Sequence, residues 1–166
     1  NREVAEKARE SLQSRGAHVM VVRADVTDQE QVSSMVEAVE EKFGSVDVIV
    51  PNATGPQPQR PIEEYDSDFY REMYDFFVLS PFLLAQSALP GMKKRKWGRI
   101  INVTSVSVKE PLNYLVLSNS IRSAVVAWAK SLSVDVGKDG VTVNSILTGY
   151  FDTERIKDLN KEIKGM

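Results

Sequence analysis

Apolar residues recur along this chain at helical spacing in four segments. The first segment ends at Gly16, the second extends from Thr27 to Phe43, and the third and fourth cover residues 66–92 and 115–136. Thr27 and Glu30 form a capping-box pattern at the start of the second helix, and Gly44 is placed to end it. Pro81 lies inside the third segment and should kink or split that helix, because an interior proline removes a hydrogen bond.

Four shorter apolar runs predict strands between these helices. They are "HVMVVRAD", which ends at Asp25, "VDVIV" (46–50), "GRIINVTS" (98–105) and "VTVNSIL" (141–147). The run 46–50 is apolar without alternation, as in strands buried on both faces of a parallel sheet. Strands that alternate with helices at this spacing predict βαβ units and an open parallel α/β sheet. Neither a repeat nor an internal linker interrupts the pattern, so residues 1–166 are expected to form a single domain.

Composition narrows the class of ligand. The 166 residues are 42% hydrophobic and 27% charged, with a net charge of -2, so neither nucleic acid nor an anionic membrane is an expected partner. The chain has no cysteine and one histidine, so no metal site is predicted. No apolar run approaches the ~20 residues that span a bilayer. A cytoplasmic protein that binds a small molecule is the simplest interpretation.

Short motifs fall in order at the ends of the predicted strands. They are Asp25-Val26-Thr27, Asn52-Ala53-Thr54-Gly55, "GRIINVTS" ending at Ser105, and "VTVNSILTG". In order and spacing this sequence resembles the short-chain dehydrogenase/reductase family over nearly its whole length. The resemblance implies a Rossmann-like doubly wound parallel sheet flanked by helices, with ligands at the carboxyl ends of the strands.

The resemblance also implies NAD or NADP as cofactor. By position, Asp25 and Val26 would contact the adenine, and Asn52, Ala53 and Gly55 would line the ribose and pyrophosphate region. Gly149 is what remains of a Pro-Gly turn, since Thr148 stands at the proline position. Structural alternatives stay open for two of these residues: Asp25 as a turn residue at a strand end, and Gly55 as a loop former.

The helix that would carry the family's Tyr-x-x-x-Lys motif has Ser118 and Arg122 at those two positions, while the catalytic serine position falls on Ser105. An aliphatic hydroxyl is a far weaker acid than a phenol, and arginine stays protonated, so this pair cannot perform the usual proton transfer. Arg122 could instead hydrogen-bond a cofactor ribose or an anionic substrate group. Phe77 stands where the family carries an asparagine, and it cannot hold a water molecule in a relay.

Tyr114, one turn before Ser118, is a candidate for a relocated catalytic acid, with a packing role as the alternative. Two functions follow. The first is an NAD(P)-dependent oxidoreductase acting on a carbonyl or alcohol, in the manner of the 3-oxoacyl-carrier-protein reductase branch. The second is a non-catalytic binding or structural subunit. The family packs dimers through the helices at 66–92 and 115–136, so a homodimer or homotetramer is expected with either function.

The family's glycine-rich turn, which binds the pyrophosphate at a helix N-terminus, is not found in this sequence. The sheet is therefore expected to lack the first strands and the last strand of the family fold, with the chain truncated at both ends. In the family's sheet order the first strand lies between "HVMVV" and "VDVIV", so the former would stand apart from the sheet with unpaired backbone groups.

Overall fold

The computed structural model of the protein describes residues 2–53, 61–113 and 115–152. In these ranges three parallel strands form one sheet in the order β1-β2-β3. The strands are β1 (Val48–Ile49), β2 (Gly98–Ser105) and β3 (Val141–Thr148). The helices are α1 (Arg2–Gln13), α2 (Gln29–Phe43), α3 (Ser67–Tyr74), α4 (Ser80–Arg95) and α5 (Val116–Gly137). The predicted parallel α/β sheet is confirmed.

Strand register brings the predicted motifs to one edge of the sheet. β2 and β3 pair along their full length, from Gly98 opposite Val141 to Ser105 opposite Thr148. On the other side of β2, the Val103 N–H donates to the Pro51 carbonyl at 3.3 Å, just past the end of β1. Residues 51–53, 105 and 148 therefore follow the carboxyl ends of adjacent strands, where ligands bind in open α/β sheets.

Burial along β2 alternates residue by residue. Ile100, Asn102 and Thr104 are 0, 1 and 2% exposed and lie on the face covered by α4 and α5. The residues between them are only partly buried. In β1 and just after it, Val48 and Val50 are 48 and 52% exposed, so the expectation that this run is buried on both faces is wrong. Helices α4 and α5 cover one face of the sheet, and α2 packs against α4.

The predicted strand that ends at Asp25 is not observed. No strand is assigned between residues 17 and 28, and the backbone hydrogen bonds found at its two ends are local. At one end Ala17 N donates to Leu12 O, and at the other Asp28 N donates to Asp25 O. The preceding helix α1 is formed as predicted, but it has no buried residue. The physical reason is that no described strand lies beside this segment to pair with it.

The start of α2 differs from the prediction by one residue. Asp28, not Thr27, is the N-cap, and its carboxylate accepts hydrogen bonds from the N–H groups of Glu30 and Gln31 at 2.9 and 3.1 Å. Thr27 instead donates its N–H and hydroxyl to the Asp25 carboxylate. At the other end Gly44 adopts φ 86°, a left-handed conformation, and ends the helix as predicted.

Pro81 divides the third helical segment, as its sequence predicts. A five-residue π-helical turn, Asp75–Leu79, joins α3 to α4, and Pro81 is the second residue of α4. In a π-helical register the N–H of residue 81 would bond to the Phe76 carbonyl, but proline has no N–H. The Ser80 hydroxyl donates to that carbonyl instead, at 2.6 Å.

Two apolar clusters are built around these elements. One lies between the sheet, α2, α4 and α5, and the other lies between α3, the π-helical turn and the first half of α5. Trp128 packs against both clusters. The second cluster contains Met73, Phe77, Val78, Leu117, Ile121 and Val125. Among the helices of the described ranges, none has the length and apolar character needed to cross a membrane.

Candidate active site

Ser118 and Arg122 lie one turn apart on α5 and contact each other. The Arg122 Nε donates to the Ser118 Oγ at 3.3 Å, and both residues are half-buried. This contact follows from their spacing, because residues four apart share one face of a helix. The two residues predicted to stand at the family's tyrosine and lysine positions thus form one hydrogen-bonded unit.

Phe77, which is distant in sequence, contacts Arg122 of this pair. The Arg122 guanidinium carbon lies 5.0 Å from the centroid of the Phe77 ring, in cation–π geometry. Phe77 stands in the middle of the π-helical turn and is 9% exposed. The three residues predicted to stand at the family's asparagine, tyrosine and lysine positions therefore form one group, in which Arg122 contacts both Phe77 and Ser118. We call them the Phe77–Ser118–Arg122 cluster.

The cluster separates two pockets. The first, which we call the inner crevice, has predominantly apolar walls, made by Tyr65, Met73, Phe77, Leu115, Leu117, Ser118, Ile121 and Arg122. The second, which we call the strand-end pocket, has walls that include Pro51, Ala53, Phe76, Phe77, Ser80, Asn102, Thr104 and Arg122. Phe77 and Arg122 belong to both, so one arginine faces the end of β1 on one side and an apolar space on the other.

Asn102 is the residue of this site that sequence reasoning missed. It is 1% exposed, it contributes to the wall of the strand-end pocket, and neither its amide nitrogen nor its amide oxygen has a hydrogen-bond partner in the described ranges. Its polar neighbours bond elsewhere, as the Thr104 hydroxyl donates to the Ile146 carbonyl at 3.1 Å. The sequence did contain a signal for this. In "GRIINVTS", Asn102 lies two residues after the apolar Ile100, so the two side chains are on the same face of the strand.

Ser105, the predicted catalytic serine, ends β2 and caps the short 3₁₀ turn Val106–Val108. Its Oγ accepts a hydrogen bond from the Ser107 N–H at 3.2 Å. Ser105 is in the wall of neither the inner crevice nor the strand-end pocket. Its neighbour across the sheet, Thr148, donates its hydroxyl to the Thr104 carbonyl at 2.7 Å, which ties the ends of β2 and β3 together.

Asp25 forms a turn, as expected from the alternative interpretation that it is a structural residue and not a cofactor ligand. Its Oδ1 accepts from the Thr27 N–H at 2.9 Å and from the Thr27 hydroxyl at 2.7 Å. These two hydrogen bonds, the backbone one first, hold the pKa of the Asp25 carboxyl below its usual value. Asp25 is exposed, and it borders a separate groove that also contains Asp68, Glu72 and Asp75. Val26, half-buried, follows Asp25 in the same turn.

The other predicted cofactor residues are placed unequally. Asn52 and Ala53 are exposed after β1, and Ala53 is in the wall of the strand-end pocket. Gly149 is exposed after β3, with open space where a side chain would stand. Gly55 and Tyr114 lie outside the described residues. The structure thus joins Ala53 to Arg122 through one pocket and leaves Asp25 and Gly149 apart from it.

A parallel α/β sheet with polar motifs at its strand ends defines a Rossmann-like fold, and comparison with known proteins gives the family. The family model described as short chain dehydrogenase matches residues 1–164, and the chain belongs to this family. An uncharacterised oxidoreductase of Bacillus subtilis is 31% identical over 94% of this chain and 60% of its own length. A cis-4-hydroxycyclohexanecarboxylate dehydrogenase of Sinomonas cyclohexanicum is 27% identical over 98% of this chain and 65% of its own length.

Solved structures agree with this assignment. NAD+-bound xylitol dehydrogenase superposes with a TM-score of 0.92 at 25% identity, covering 99% of this chain and 63% of that one. L-sorbose reductase from Gluconobacter frateurii, complexed with NADPH and L-sorbose, gives 0.88 at 31% identity, covering 96% and 61%. The predicted Rossmann-like fold is confirmed. The chain spans about 60% of the length of the Bacillus relative.

Proposed function

We propose that this chain belongs to an NAD(P)-dependent oxidoreductase that interconverts a carbonyl and an alcohol. Family membership supports the reaction class, and similar structures hold NAD+ or NADPH. The observation that carries the proposal is the position of Arg122. It stands between the strand-end pocket, on the side of the predicted cofactor residues, and the inner crevice, whose walls are predominantly apolar.

The residues present fit the adenosine and ribose parts of the cofactor. The exposed Asp25 carboxylate can accept from an adenine amino group, with Val26 beside it, and Asn52 and Arg122 can hydrogen-bond ribose hydroxyls. Ala53 and Gly149 leave room for close approach. The sequence contains no glycine-rich turn, so no residues of this chain are matched to the pyrophosphate of the cofactor. The nicotinamide of the bound cofactor would exchange a hydride with the substrate carbon.

In this proposal Ser118 and Arg122 hold the substrate oxygen. Both can donate a hydrogen bond to a carbonyl oxygen, and the guanidinium charge stabilises negative charge that develops there. Neither is an adequate acid, because a serine hydroxyl is too weak and arginine keeps its proton. Ser105 is retained as a further hydroxyl at the end of β2, and Tyr114 is the candidate for the missing proton donor.

The first experiment tests cofactor binding and turnover. The full chain is titrated with NADH and NADPH by calorimetry, and a panel of carbonyl compounds is then followed at the nicotinamide absorbance. We expect one cofactor to bind, the activity to be abolished in Tyr114→Phe, and the activity of Ser118→Ala to be reduced but not abolished, because Arg122 still holds the substrate oxygen. Binding of neither cofactor would refute the proposal, and turnover unaffected by both variants would refute the assignment of Ser118 and Tyr114.

A second experiment restores the family's acid. The double variant Ser118→Tyr, Arg122→Lys supplies a phenol and a lysine four residues apart, and general acid catalysis contributes roughly 10²–10⁴-fold to such reactions. We expect kcat to rise by about 10²-fold. Ser123→Tyr, Ala127→Lys is the matched control, since it has the same spacing on the exposed side of α5.

The Phe77–Ser118–Arg122 cluster also favours the second candidate function, a non-catalytic cofactor-binding subunit. In the cluster the arginine donates to serine and stacks on phenylalanine, and neither contact transfers a proton. A wild-type chain that binds cofactor without turnover, together with an active restored variant, would identify this case. The 3-oxoacyl-reductase-like specificity, the cytoplasmic location and the homo-oligomer remain predictions from the sequence.

A further inference from the structure

Ser80 holds the end of the π-helical turn with two hydrogen bonds. Its backbone N–H donates to the Asp75 carbonyl, five residues back, in the π-helical register. Its hydroxyl donates to the Phe76 carbonyl at 2.6 Å, where Pro81 has no N–H to offer. One side chain, only 7% exposed, therefore supplies the hydrogen bond that the backbone of this turn cannot make.

The register of the turn determines the direction of the Phe77 ring. A π-helical turn contains one more residue than an α-helical turn, and successive residues of an α-helix are about 100° apart around its axis. If the turn changed to α-helical hydrogen bonding, Phe77 would rotate by about this angle relative to α4. Its ring would then turn away from α5, and its edge-to-face contact with Phe76, at 5.9 Å between centroids, would also be lost.

The Phe77 ring bounds one side of the Arg122 guanidinium. The ring centroid lies 5.0 Å from the guanidinium carbon, while the Arg122 Nε donates to Ser118 at 3.3 Å. Ser80 is in the wall of the strand-end pocket together with Phe77 and Arg122, so it lies beside both. A rotation of Phe77 would remove a contact that limits where the guanidinium can point.

We propose that Ser80 is a positioning residue for Arg122. Its hydroxyl fixes the π-helical register, the register directs the Phe77 ring, and the ring holds the guanidinium where the substrate oxygen binds. The inference rests on the proposed function for the role of Arg122, because only a reaction at that oxygen makes the position of the guanidinium matter for the rate. The positioning itself is a property of the chain alone, and it is measured without cofactor or substrate.

The first readout is the NMR signal of the Arg122 Nε–H group in the full chain. The signal is assigned by its loss in Arg122→Met, and Phe77→Leu gives its position in the absence of the ring. A proton over the face of an aromatic ring is shifted upfield by the ring current. We expect Ser80→Ala to move the signal most of the way to the position found in Phe77→Leu.

The matched control is Ser87→Ala. The Ser87 hydroxyl donates to the Leu83 carbonyl at 3.0 Å, also four residues back and half-buried on α4, but two turns beyond Ser80. This variant should leave the Arg122 signal in place. A second pair, Ser80→Thr and Ser80→Val, has the same side-chain volume in both variants and differs in the hydroxyl, so any disturbance from a changed volume is common to both. We expect Thr to keep the upfield shift and Val to lose it, because a threonine hydroxyl can also bond the carbonyl four residues back.

The second readout is turnover of the carbonyl panel. In Ser80→Ala kcat should fall by up to about 10²-fold, since a misplacement of about 1 Å can cost this much, whereas Ser87→Ala should reduce it little. An unchanged Arg122 signal in Ser80→Ala, or an equal change in Ser80→Ala and Ser87→Ala, overturns the positioning role even if turnover falls. Equal signals in Ser80→Thr and Ser80→Val overturn it as well. If no form of the chain turns over any carbonyl, the oxidoreductase proposal fails, and the NMR signals still decide whether Ser80 positions Arg122.

Discussion

At the scale of single residues, the informative feature is that Arg122 contacts both of the other residues predicted to depart from the family pattern, Phe77 and Ser118. Ser118 and Arg122 could be paired from their spacing alone, because i,i+4 residues share a helix face. Phe77 could not, since 45 residues separate it from Arg122, and only tertiary packing brings its ring to 5.0 Å from the guanidinium carbon. The sequence shows three losses at these positions, whereas the structure shows one mutually stabilised cluster.

A double-mutant cycle measures the contact between Phe77 and Arg122. Phe77→Leu keeps an apolar side chain but removes the π face, and Arg122→Met keeps the stem but removes the charge. We expect a coupling free energy of about 0.5–2 kcal/mol in urea unfolding, the range for cation–π pairs from exposed to desolvated. Additive effects of the two substitutions would show that the ring and the guanidinium do not interact in solution.

Asn102 is a polar residue on a buried face. Both polar atoms of its amide are without a partner in the described ranges, and an unpaired buried group of this kind costs about 1–3 kcal/mol. Asn102→Leu should therefore raise the free energy of unfolding by a similar amount, measured by urea denaturation. Asn144→Leu, on the exposed side of neighbouring β3, should change it by less than about 0.5 kcal/mol. A destabilised Asn102→Leu would mean that the amide is hydrogen-bonded in solution.

At the scale of elements, prediction succeeded where local chemistry decides the outcome. The bounds of "GRIINVTS" match β2 because glycine precedes the apolar run and serine ends it. Pro81 marks the break in the third helix, but its form as a π-helical turn depends on packing of Phe77 and Val78 into the core. The cap of α2 was misassigned because Thr27 and Asp28 are both good capping residues, and spacing alone does not choose between neighbours.

Helix α4 contains two prolines that should respond in opposite ways to the same substitution. Pro90 is exposed inside the helix, where a missing N–H is costly, so Pro90→Ala should raise the free energy of unfolding by roughly 1–3 kcal/mol. Pro81 is buried at the helix start, where the Ser80 hydroxyl already bonds the Phe76 carbonyl, so Pro81→Ala should lower it. Thermal and urea unfolding of both variants test this pair, and a shared sign would contradict it.

At the scale of the whole molecule, the sheet explains which predictions failed. β2 pairs on both sides and is formed as predicted, whereas β1 has two residues and the segment before Asp25 has no strand. The apolar pattern of that segment predicts a strand that is not observed, because a strand needs a partner for its backbone groups. No pattern within the segment reveals whether that partner is present. The apolar run "VDVIV" predicts burial on both faces of the sheet. One face is less buried than predicted, because no described strand lies on the outer side of β1.

Hydrogen exchange measures this difference along the chain. Backbone amides of residues 19–23 have no backbone acceptor within the described parts of the structure, so they should exchange at rates close to those of an unfolded segment. Amides of β2 between residues 100 and 104 are held between two neighbouring strands and should be slower by several orders of magnitude, as their exchange requires global unfolding. Helix α2 is the internal control, because it follows the segment directly and its cap and core contacts are complete. If residues 19–23 were protected as strongly as β2, that segment would be paired in solution. The strand predicted from the apolar pattern would then be present after all.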